Sequence, residues 1–587
     1  MVNSTNLEEK FEEWFNNSEK VGNVYNVRGS YYGLDNIPIT ITKGKEIPNW
    51  SYVFVKHWKT GNPVVFQIIN VHFDQPGVEY QDASISMGSP IKDPSMRKYK
   101  CRGLLVGEIE KDGKIVPPRY PIEPEADVYL CPNEMVEFVT QPLDDWSIKV
   151  GEIPELGVPV KIRLEPLVRQ GLLITGTQGT GKTTALITLI TRAALADPPL
   201  RFLILDWTGE FKSVDELIEK IKKMVDRKDF EPLSEILGVQ GDKLKRKEYL
   251  ALLKSSSVKI IEWWRIYCGF IGEELIQYLK SMLDRVISFQ HRFSDAARRY
   301  TKELVYHAEK LTVDELEVLA DERSGRRDSS TVLSAKVIIT SILSSYIPRN
   351  NDEFDAWREN SYLIDNLKDD IRMNNVVIID FSASLPDWLN IADDVDIKSD
   401  IATIIARRIW DIGSRDSNFG CVIVIDEAHR VCPEKDFGYM DLIWQRLASE
   451  GGRNKIPLWI VARRLSLVSK KVTTELQQNF FCFNVEDVDR ARVQEDLGKS
   501  FADIVPYGTL PPLHCIIKST GFRIPGQVIF TKIDVIGRPA GVKLSRDVFE
   551  EMKKCKKVEI EVESEKTDVK EKKSKAERKI PTLNSFI

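Results

Sequence analysis

The sequence has little that would place the chain in a membrane or outside the cell. Its 587 residues include no run of 18 or more apolar residues, so no membrane-spanning helix is predicted. The eight cysteines have no Cys-x-x-Cys spacing and the six histidines are well separated, which predicts neither a disulfide framework nor a metal cluster. The first residues lack the basic and then apolar order of a signal peptide. We therefore expect a cytoplasmic protein, associated with a membrane only through a partner if at all.

Positive charge is not in excess either. The chain has 83 Lys and Arg against 88 Asp and Glu, a net charge of −5. This balance argues against a protein coated in positive charge, so nucleic acid would have to be held by a local basic surface such as a channel lining. Hydrophobic residues at 42% and charged residues at 29% are typical of a globular protein, and the length allows several domains.

One stretch carries a strong chemical signal. Residues 171–184 read Gly-Leu-Leu-Ile-Thr-Gly-Thr-Gln-Gly-Thr-Gly-Lys-Thr-Thr and lead into an apolar helix, which predicts the strand, loop and helix of a P-loop. Glycines let the backbone close around a phosphate, which backbone N–H groups and the helix N-terminus then hold. Lys182 is expected to reach the β- and γ-phosphates, and the Thr183 hydroxyl to bind Mg²⁺. The predicted nucleotide-binding residues of this loop are Gly176, Thr177, Gln178, Gly179, Thr180, Gly181, Lys182, Thr183 and Thr184.

Hydrolysis needs a second carboxylate beyond the one that assists Mg²⁺. Residues 421–427, Cys-Val-Ile-Val-Ile-Asp-Glu, supply a pair at the end of a predicted buried strand, where ligands of open α/β sheets bind. Asp426 is expected to hold Mg²⁺ through water, and Glu427 to polarise the attacking water. Asp206 and Glu210 leave a neighbouring strand. They either line the same pocket or form a helix N-cap and a surface acid.

Two short patterns resemble those of GTPases. Asp206-Trp-Thr-Gly209 matches Asp-x-x-Gly, and Thr531-Lys-Ile-Asp534 matches the guanine-reading Thr-Lys-x-Asp. Both are frequent by chance, Thr531 lies far beyond Glu427, and a GTPase does not need the Asp426–Glu427 pair. We therefore expect ATP and Mg²⁺ as the ligands.

The order of patterns predicts several domains. Apolar strands alternating with helices predict an α/β core, a parallel sheet covered on both faces, and short β-rich segments before it predict a small barrel or sandwich. Residues 551–579 are mostly Lys and Glu, too polar for a core. The predicted boundaries are 1–20 for an N-terminal helix, 21–164 for the β domain, 165–535 for the core with a helical insertion at about 213–370, and 536–587 for a charged tail.

The two ends of the chain each allow more than one interpretation. The first helix carries Leu7, Phe11 and Trp14 on one face, which packs on its own domain or docks a partner. The tail ends in an apolar peptide with Leu583, Phe586 and Ile587, which loosely resembles the C-terminal peptides that bind DNA sliding clamps, although Ile580 stands where those have Gln. If it is not such a peptide, it binds an unspecified partner or no partner.

From about residue 20 to 535 the sequence resembles the HerA branch of the HerA/FtsK hexameric DNA translocases. The matching segments, in order, are Val21-Gly-Asn-Val, 117–124 and 151–160 in the β domain, then the P-loop, Asp206-Trp-Thr-Gly-Glu-Phe, Asp380-Phe-Ser, Ala448-Ser-Glu-Gly-Gly-Arg453 and Val461-Ala-Arg463-Arg464-Leu-Ser. The resemblance implies a RecA-like ATPase core, a HAS-type β-barrel and a homo-hexameric ring that binds ATP between subunits and pulls double-stranded DNA through a central channel.

The same resemblance implies partners. The family's usual partner is a NurA-type nuclease in the processing of DNA ends. The competing hypotheses are a DNA-transport motor docked on a membrane channel and, in a different class, a nucleotide-switched ring scaffold. Residues 323–330 and 469–471 are short, polar and basic, and they either contact DNA phosphates or form solvated surface loops.

The departures from the family pattern concern arginines. Arg463 stands in place of the family's sensor Gln, and we expect it to contact the nucleotide. The extra Gly452 shifts the family's arginine by one position, so Arg453 is expected to act as an arginine finger on a neighbouring subunit, with Arg169 as the second candidate. For both, a surface arginine is the competing interpretation. The whole hypothesis requires Lys182 and Glu427 to face one triphosphate across adjacent strand ends.

Overall fold

The computed structural model describes residues 7–24, 36–42, 45–74, 98–239, 241–272, 276–325, 327–392, 395–434, 441–497 and 508–539. Met1–Arg538 forms one compact unit. The terminal peptide with Leu583, Phe586 and Ile587 lies outside the described residues, so its binding of a partner stays a prediction. Among the described residues, no helix is both long enough and apolar enough to cross a membrane.

The first sheet is a closed barrel. Its seven strands follow the order β2-β1-β7-β3-β4-β5-β6, with β2 also pairing with β5. All these pairings are antiparallel, and the extra one closes the sheet and leaves β6 as a hairpin extension. The predicted N-terminal barrel is thereby confirmed. Its strands are β1 (Lys20–Val24), β2 (Asn36–Ile41), β3 (Tyr52–Lys56), β4 (Pro63–Asp74), β5 (Lys98–Ile109), β6 (Ile115–Val116) and β7 (Asp127–Leu130).

Helix α1 (Leu7–Asn17) packs beside this barrel. Its apolar residues Leu7, Phe11 and Trp14 are buried in one cluster with Phe54 of β3. Phe15 of the helix has its ring 5.3 Å from that of Phe54, centre to centre. Of the two interpretations of this helix, packing on its own domain is the one that the structure shows.

The second sheet is an eleven-stranded mixed sheet in the order β12-β13-β11-β14-β15-β10-β16-β17-β18-β8-β9. Neighbours from β12 to β16 are parallel, and the remaining pairs are antiparallel. Its strands are β8 (Ser147–Ile153), β9 (Val158–Arg163), β10 (Leu172–Thr175), β11 (Phe202–Asp206), β12 (Val258–Glu262), β13 (Val376–Asp380), β14 (Val422–Ile425), β15 (Leu458–Ala462), β16 (Asn479–Cys482), β17 (His514–Ser519) and β18 (Gln527–Ile533).

Helices cover both faces of this sheet. Because side chains alternate along a strand, Leu203 and Leu205 of β11 belong to one buried cluster and Phe202 and Ile204 to another. The inner parallel strands β10, β11, β13, β14 and β15 are therefore buried at every residue, as predicted, whereas β12 at the edge of the sheet is partly exposed. The helices after α1 are α2 (Asn133–Thr140), α3 (Leu164–Gln170), α4 (Lys182–Ala194), α5 (Lys212–Arg227), α6 (Phe230–Leu237), α7 (Lys247–Ser255), α8 (Trp263–Gly272), α9 (Ile276–Ser288), α10 (Asp295–His307), α11 (Val313–Glu322), α12 (Ser329–Ser341), α13 (Asn351–Glu359), α14 (Leu367–Met373), α15 (Val395–Arg415), α16 (Asp441–Glu450), α17 (Lys470–Leu476) and α18 (Arg490–Leu497).

Two predicted boundaries differ from the structure. The boundary at residue 164 assigns strands β8 and β9 to the barrel, yet β8 pairs with β18 and so extends the second sheet. The insertion predicted as helical at about 213–370 contains β12, which pairs with β13 at the edge of that sheet. In both cases the partner strand is distant in the sequence, so the local pattern carries no information on which sheet the strand joins.

A buried arginine ties the helix after the P-loop to three other elements. Arg192 of α4 has a side chain that is 1% exposed and lies 2.7 Å from the carboxylate of Asp534, just after β18. It also donates to the backbone oxygens of Lys149 in β8, at 2.7 Å, and of Ile236 in α6, at 2.8 Å. These bonds satisfy a charge that would be costly to bury unpaired, and they fix α4 against the antiparallel end of the sheet.

We predict that Arg192→Met destabilises the protein by about 3 kcal/mol, because the substitution removes one of the two cations beside a largely buried carboxylate and leaves three carbonyls without this donor. The matched control is Arg358→Met on the exposed surface of α13, with an expected change within about 0.5 kcal/mol. The shift of the urea midpoint, followed by circular dichroism, measures both. Equal midpoints for the two variants would contradict the role given to Arg192.

Candidate nucleotide-binding site

The P-loop lies between buried strand β10 and the first turn of α4. Gly176, Gly179 and Gly181 have φ angles of 151°, 77° and 108°, which favour glycine. A Cβ at Gly176 would lie 2.6 Å from Cβ of Phe483, and one at Gly181 would lie 2.8 Å from Cδ2 of Leu513. At Gly179 nothing lies within 4 Å. The loop is thus closely packed at two glycines and open at the third, as a loop that receives a phosphate must be.

Residues outside the motif hold the loop in place. The amide of Thr177 donates to the backbone oxygen of Asn484 at 2.7 Å, and the amide of Leu513 donates to the oxygen of Thr180 at 2.9 Å. Within the loop, Nζ of Lys182 donates to the oxygen of Thr177 at 2.7 Å. No motif marks Asn484 or Leu513 in the sequence, because their function here depends on β16 pairing beside β10 and on the chain returning through β17.

Carboxylates line the carboxyl edge of four neighbouring strands. Strand register places Asp380 of β13 beside both Asp206 of β11 and Glu262 of β12. Leu205 pairs with Ile425, so Asp426 follows β14 at the level of Asp206. The row is therefore Glu262, Asp380, Asp206 and Asp426. It runs along the carboxyl ends of the parallel strands, the same ends from which the P-loop leaves β10.

The carboxylate of Asp206 accepts hydrogen bonds from the turn that follows it. One carboxylate oxygen accepts from the amides of Thr208, at 3.1 Å, and Gly209, at 2.8 Å, and the other accepts from Phe211 at 3.1 Å. Burial raises its pKa, and these amides oppose that shift. Asp206 is not the N-cap of α5, which is Phe211. Its charge acts on the pKa of Asp426, so Asp206 lies beside the same acidic pair, and its contact with a nucleotide stays a prediction. Glu210 is half-buried and its charge acts on the pKa of Lys182, so it stays close to the P-loop.

Asp426 is buried, at 4% exposure, with little to neutralise it. Its carboxylate accepts from the hydroxyl of Thr208 at 3.0 Å and from the amide of Glu427 at 3.0 Å. Burial first, and then the charges of Glu427 and Asp206, raise the pKa of Asp426 to about 7. A divalent cation at this position would offset the buried negative charge, which fits the predicted Mg²⁺.

The expected Mg²⁺ site is shared between protein and ligand. No group of three or more His, Cys, Asp or Glu in the described part of the chain is suited to hold a metal alone. Mg²⁺ commonly keeps several waters and takes one or two protein oxygens together with substrate phosphates. Thr183 at the start of α4 and Asp426 after β14 carry such oxygens, and their binding of Mg²⁺ stays a prediction.

Lys182 and the acidic pair act on one another electrostatically. Burial lowers the pKa of Lys182, and the nearby charges of Asp426 and Glu427 raise it again. The two strands that carry them are not adjacent, however, because β15 lies between β14 and β10. The expectation of adjacent strand ends is therefore wrong. That Lys182 and Glu427 face one triphosphate stays a prediction, which their electrostatic interaction supports.

The intervening strand brings Arg463 to the loop. Arg463 follows β15, and its Nη2 donates to Oε1 of Gln178 at 2.6 Å. Its charge also lowers the pKa of Lys182, so Arg463 and Lys182 share the same small region. The predicted sensor position thus lies against the phosphate loop, and its contact with a nucleotide stays a prediction.

The two candidate finger arginines lie at the amino-terminal ends of their strands, on the side of the sheet away from the P-loop. Arg169 precedes β10 and Arg453 precedes β15, two parallel neighbours whose other ends carry the P-loop and Arg463. The backbones approach closely here, since a Cβ at Gly452 would lie 1.9 Å from the oxygen of Arg169. Both arginines are exposed, and Arg169 pairs with Glu165 at 2.9 Å. Because the strands separate them from the P-loop, neither arginine is placed to serve the site of its own chain.

The carboxylates of the two GTPase-like patterns are engaged in structural contacts. Asp534 pairs with Arg192 at 2.7 Å and with Lys149 at 3.1 Å, and Asp206 accepts from the amides of its own turn as described. A carboxylate that reads guanine must be free to accept from the base. Asp534 lacks that freedom, which supports the expectation of ATP.

The candidate DNA-contacting segments are largely paired within the chain. Arg327 lies 2.6 Å from Glu303 and 4.1 Å from the ring centre of Tyr300. Lys470 pairs with Glu495 at 2.9 Å. Arg326 lies outside the described residues. These contacts favour the surface-loop interpretation for Arg327 and Lys470.

The strand order defines the class of the protein. A P-loop strand separated by one strand from a strand that ends in Asp-Glu, within a parallel sheet covered by helices, is the arrangement of RecA-like P-loop ATPases. Residues 148–413 match the family model described as "Helicase HerA, central domain". This match covers the segment that carries the P-loop, and it confirms the resemblance of the motifs to the HerA branch of these ATPases.

The chain is also similar in fold to several solved structures. VirB4 of Thermoanaerobacter pseudethanolicus is 11% identical, with a TM-score of 0.40, over 67% of this chain and 98% of that one. The genome packaging NTPase B204 of Sulfolobus turreted icosahedral virus 2, in complex with AMPPCP, is 9% identical, with a TM-score of 0.25, over 62% and 97%. EssC of Geobacillus thermodenitrificans is 12% identical, with a TM-score of 0.24, over 70% and 48%. No curated protein matches the sequence. With TM-scores this low, the class rests on the P-loop, the strand order and the family match.

We predict that Thr208→Val raises the Mg²⁺ concentration needed for half-maximal nucleotide binding by about tenfold, because Asp426 loses the hydroxyl that orients it. Thr208→Ser keeps the hydroxyl and is expected to bind like the wild type. A Mg²⁺ titration with a fluorescent ATP analogue measures this. Equal Mg²⁺ requirements for the Val and Ser variants would show that the Thr208–Asp426 bond does not matter for the metal.

Proposed function

We propose that the chain is an ATP-driven motor that moves double-stranded DNA and works as a ring of identical subunits. The observation that carries the proposal is the convergence of Lys182, Asp426, Glu427 and Arg463 on one phosphate loop. A P-loop alone binds a nucleotide. A carboxylate beyond the one needed for Mg²⁺ adds a base for hydrolysis, and an arginine on the loop adds a group that responds to the γ-phosphate.

Each residue then has a task. Lys182 and the amides of the P-loop hold the phosphates of ATP. Thr183 and Asp426 would hold Mg²⁺, which would neutralise the charge that develops on the phosphates. Glu427 accepts a proton from the water that attacks the γ-phosphate. Arg463 contacts the terminal phosphate from the end of β15 and transmits its loss to Gln178, the loop residue to which it is bonded.

A second copy completes the site. The exposed arginines lie at the edge opposite their own P-loop, where they are available to a neighbouring subunit's nucleotide. Arg453 is the better candidate, because Arg169 is paired with Glu165, and the Arg453 guanidinium has no hydrogen-bond or ion-pair partner in the described part of the chain. This asymmetry supports Arg453 as the arginine finger in a closed ring.

The DNA and partner proposals rest on the family. A net charge of −5 is compatible with DNA held in a channel, where positive charge is needed only locally. A nuclease bound to the barrel would make the motor part of a DNA end-processing system in the cytoplasm. Purification from its native cell tests the partner. A co-purifying nuclease would support this setting, and a co-purifying membrane protein would replace it with DNA transport.

We predict that Glu427→Gln lowers the turnover of ATP by about 10²-fold or more with ATP binding retained, because the substitution removes the base and leaves the phosphate loop intact. Duplex DNA is expected to stimulate the wild type at low salt. Glu359→Gln on the exposed side of α13 is the matched control and keeps wild-type turnover. Normal hydrolysis by the Glu427 variant would remove it from the catalytic role, and hydrolysis by the wild type that ignores duplex DNA would favour a scaffold over a motor.

We predict that Arg453→Ala lowers hydrolysis by about 10³-fold, the contribution typical of an arginine finger, and that Arg169→Ala has a much smaller effect. Mixing identifies the donor subunit. Lys182→Ala supplies an intact arginine and a dead site, so mixed with Arg453→Ala it is expected to restore activity above the sum of the two. A mixture that gains nothing, or an Arg453 variant that hydrolyses normally, would contradict the assignment.

A further inference from the structure

A histidine contacts the proposed base. After β14 the backbone of Glu427 adopts a φ of 56°, in the left-handed region that residues with a side chain rarely occupy. The short 3₁₀ turn Ala428–Arg430 follows and bends the chain back. As a result, Nδ1 of His429 lies 3.3 Å from Oε2 of Glu427. Backbone strain of this kind persists where the surrounding contacts hold it, and it is frequent at functional sites.

The surroundings restrict what this contact can do. The side chains of His429 and Glu427 are 32% and 24% exposed, so each is largely packed but still open to water. The charged groups that act on His429 are Glu427, Arg430 and Arg463. Burial and the two arginines lower its pKa, and Glu427 raises it, with the net shift downward. A neutral imidazole keeps one N–H to donate and does not neutralise a neighbouring carboxylate.

The backbone near this turn is well anchored. Arg430 donates its amide to the oxygen of Glu427 at 2.9 Å, and its own oxygen accepts from the hydroxyl of Ser399 in α15 at 2.8 Å. Its guanidinium lies 5.3 Å from the ring centre of Trp207. The histidine therefore stands on a turn whose backbone is held by α15.

We propose that His429 is a positioning residue for Glu427. Nδ1 lies 3.3 Å from Oε2, and a small rotation of the ring would align its N–H with that oxygen. The resulting bond would direct Oε1 of the carboxylate toward the water that attacks the γ-phosphate. The inference rests on the proposed function, in which Glu427 is the base of ATP hydrolysis. It adds a residue that touches neither nucleotide nor metal and that acts only through the orientation of the base. A carboxylate without this contact would rotate among several orientations and present an oxygen to the water less often.

The test compares two substitutions of the same histidine. His429→Ala removes the donor, and we expect kcat for ATP to fall about tenfold with KM within about twofold, because only the base is affected. His429→Asn places an amide N–H near the position of Nδ1, and we expect it to restore kcat to within about threefold of the wild type. His291→Asn, an exposed histidine after α9, is the matched control and is expected to behave as the wild type. Binding of a fluorescent ATP analogue verifies that each variant is folded.

A double substitution separates this role from a purely structural one. If His429 acts through Glu427, then His429→Ala added to Glu427→Gln lowers the residual rate no further. An additive loss, a change in KM as large as that in kcat, or equal rates for the Ala and Asn variants would overturn the proposal and leave the ATPase standing. A Glu427→Gln protein with wild-type hydrolysis would instead overturn the proposed function itself, so the two failures are distinguishable.

Discussion

Buried negative charge at the carboxyl ends of the parallel strands is the constraint on which the site depends. Parallel strands bring Glu262, Asp380, Asp206 and Asp426 into one row, and three of these carboxylates are almost or entirely buried. Carboxylates in such a position are costly unless each is given donors or a cation. Asp380 has the amine of Lys212 at 2.7 Å, and Asp206 has the three amides of its own turn. Among the described residues, the donors to Asp426 are a hydroxyl and one amide, so the least compensated of the three buried carboxylates lies beside the P-loop, where a cation is needed.

Much of this arrangement could be predicted from the sequence because its signals are local. The P-loop, the strand that ends in Asp426 and Glu427, and the turn after Asp206 are each contiguous, and each combines an apolar run with residues that only a few chemistries require. What escaped prediction depends on pairing between distant strands. Three features of the strand order are of this kind: β15 separates β14 from β10, β8 pairs with β18, and β12 is an edge strand of the sheet. Residues that hold the loop from outside, such as Asn484 and Leu513, are invisible for the same reason.

The GTPase-like patterns illustrate the same limit from the other side. Asp534 stands in a run that fits the guanine-reading pattern, and its carboxylate is bonded instead to Arg192, a residue far away in the sequence. Asp206 fits a phosphate-sensing pattern and accepts from the amides of the turn that precedes α5. A short pattern predicts a function only if its side chains are free to perform it. Tertiary contacts decide that freedom, because each carboxylate bonds to the donors that the fold brings to it, and a run of four residues does not encode those donors.

The barrel and the P-loop are connected by a short series of contacts. Trp50 of the barrel stacks on Phe530 of β18, with ring centres 5.5 Å apart and planes at 24°. Ile533 at the end of that strand donates to the oxygen of Leu513 at 2.8 Å, and Leu513 donates to the oxygen of Thr180 in the P-loop. Arg523 adds a bond from the loop before β18 to the oxygen of Gly113, at 2.9 Å. Because β18 also carries β8 in fixed register, a displacement of the barrel relative to the sheet must disturb either that register or the strand that supports the phosphate loop. The barrel and the phosphate loop are therefore joined by packed side chains and strand hydrogen bonds, which is the contiguous physical connection that any coupling between them would require.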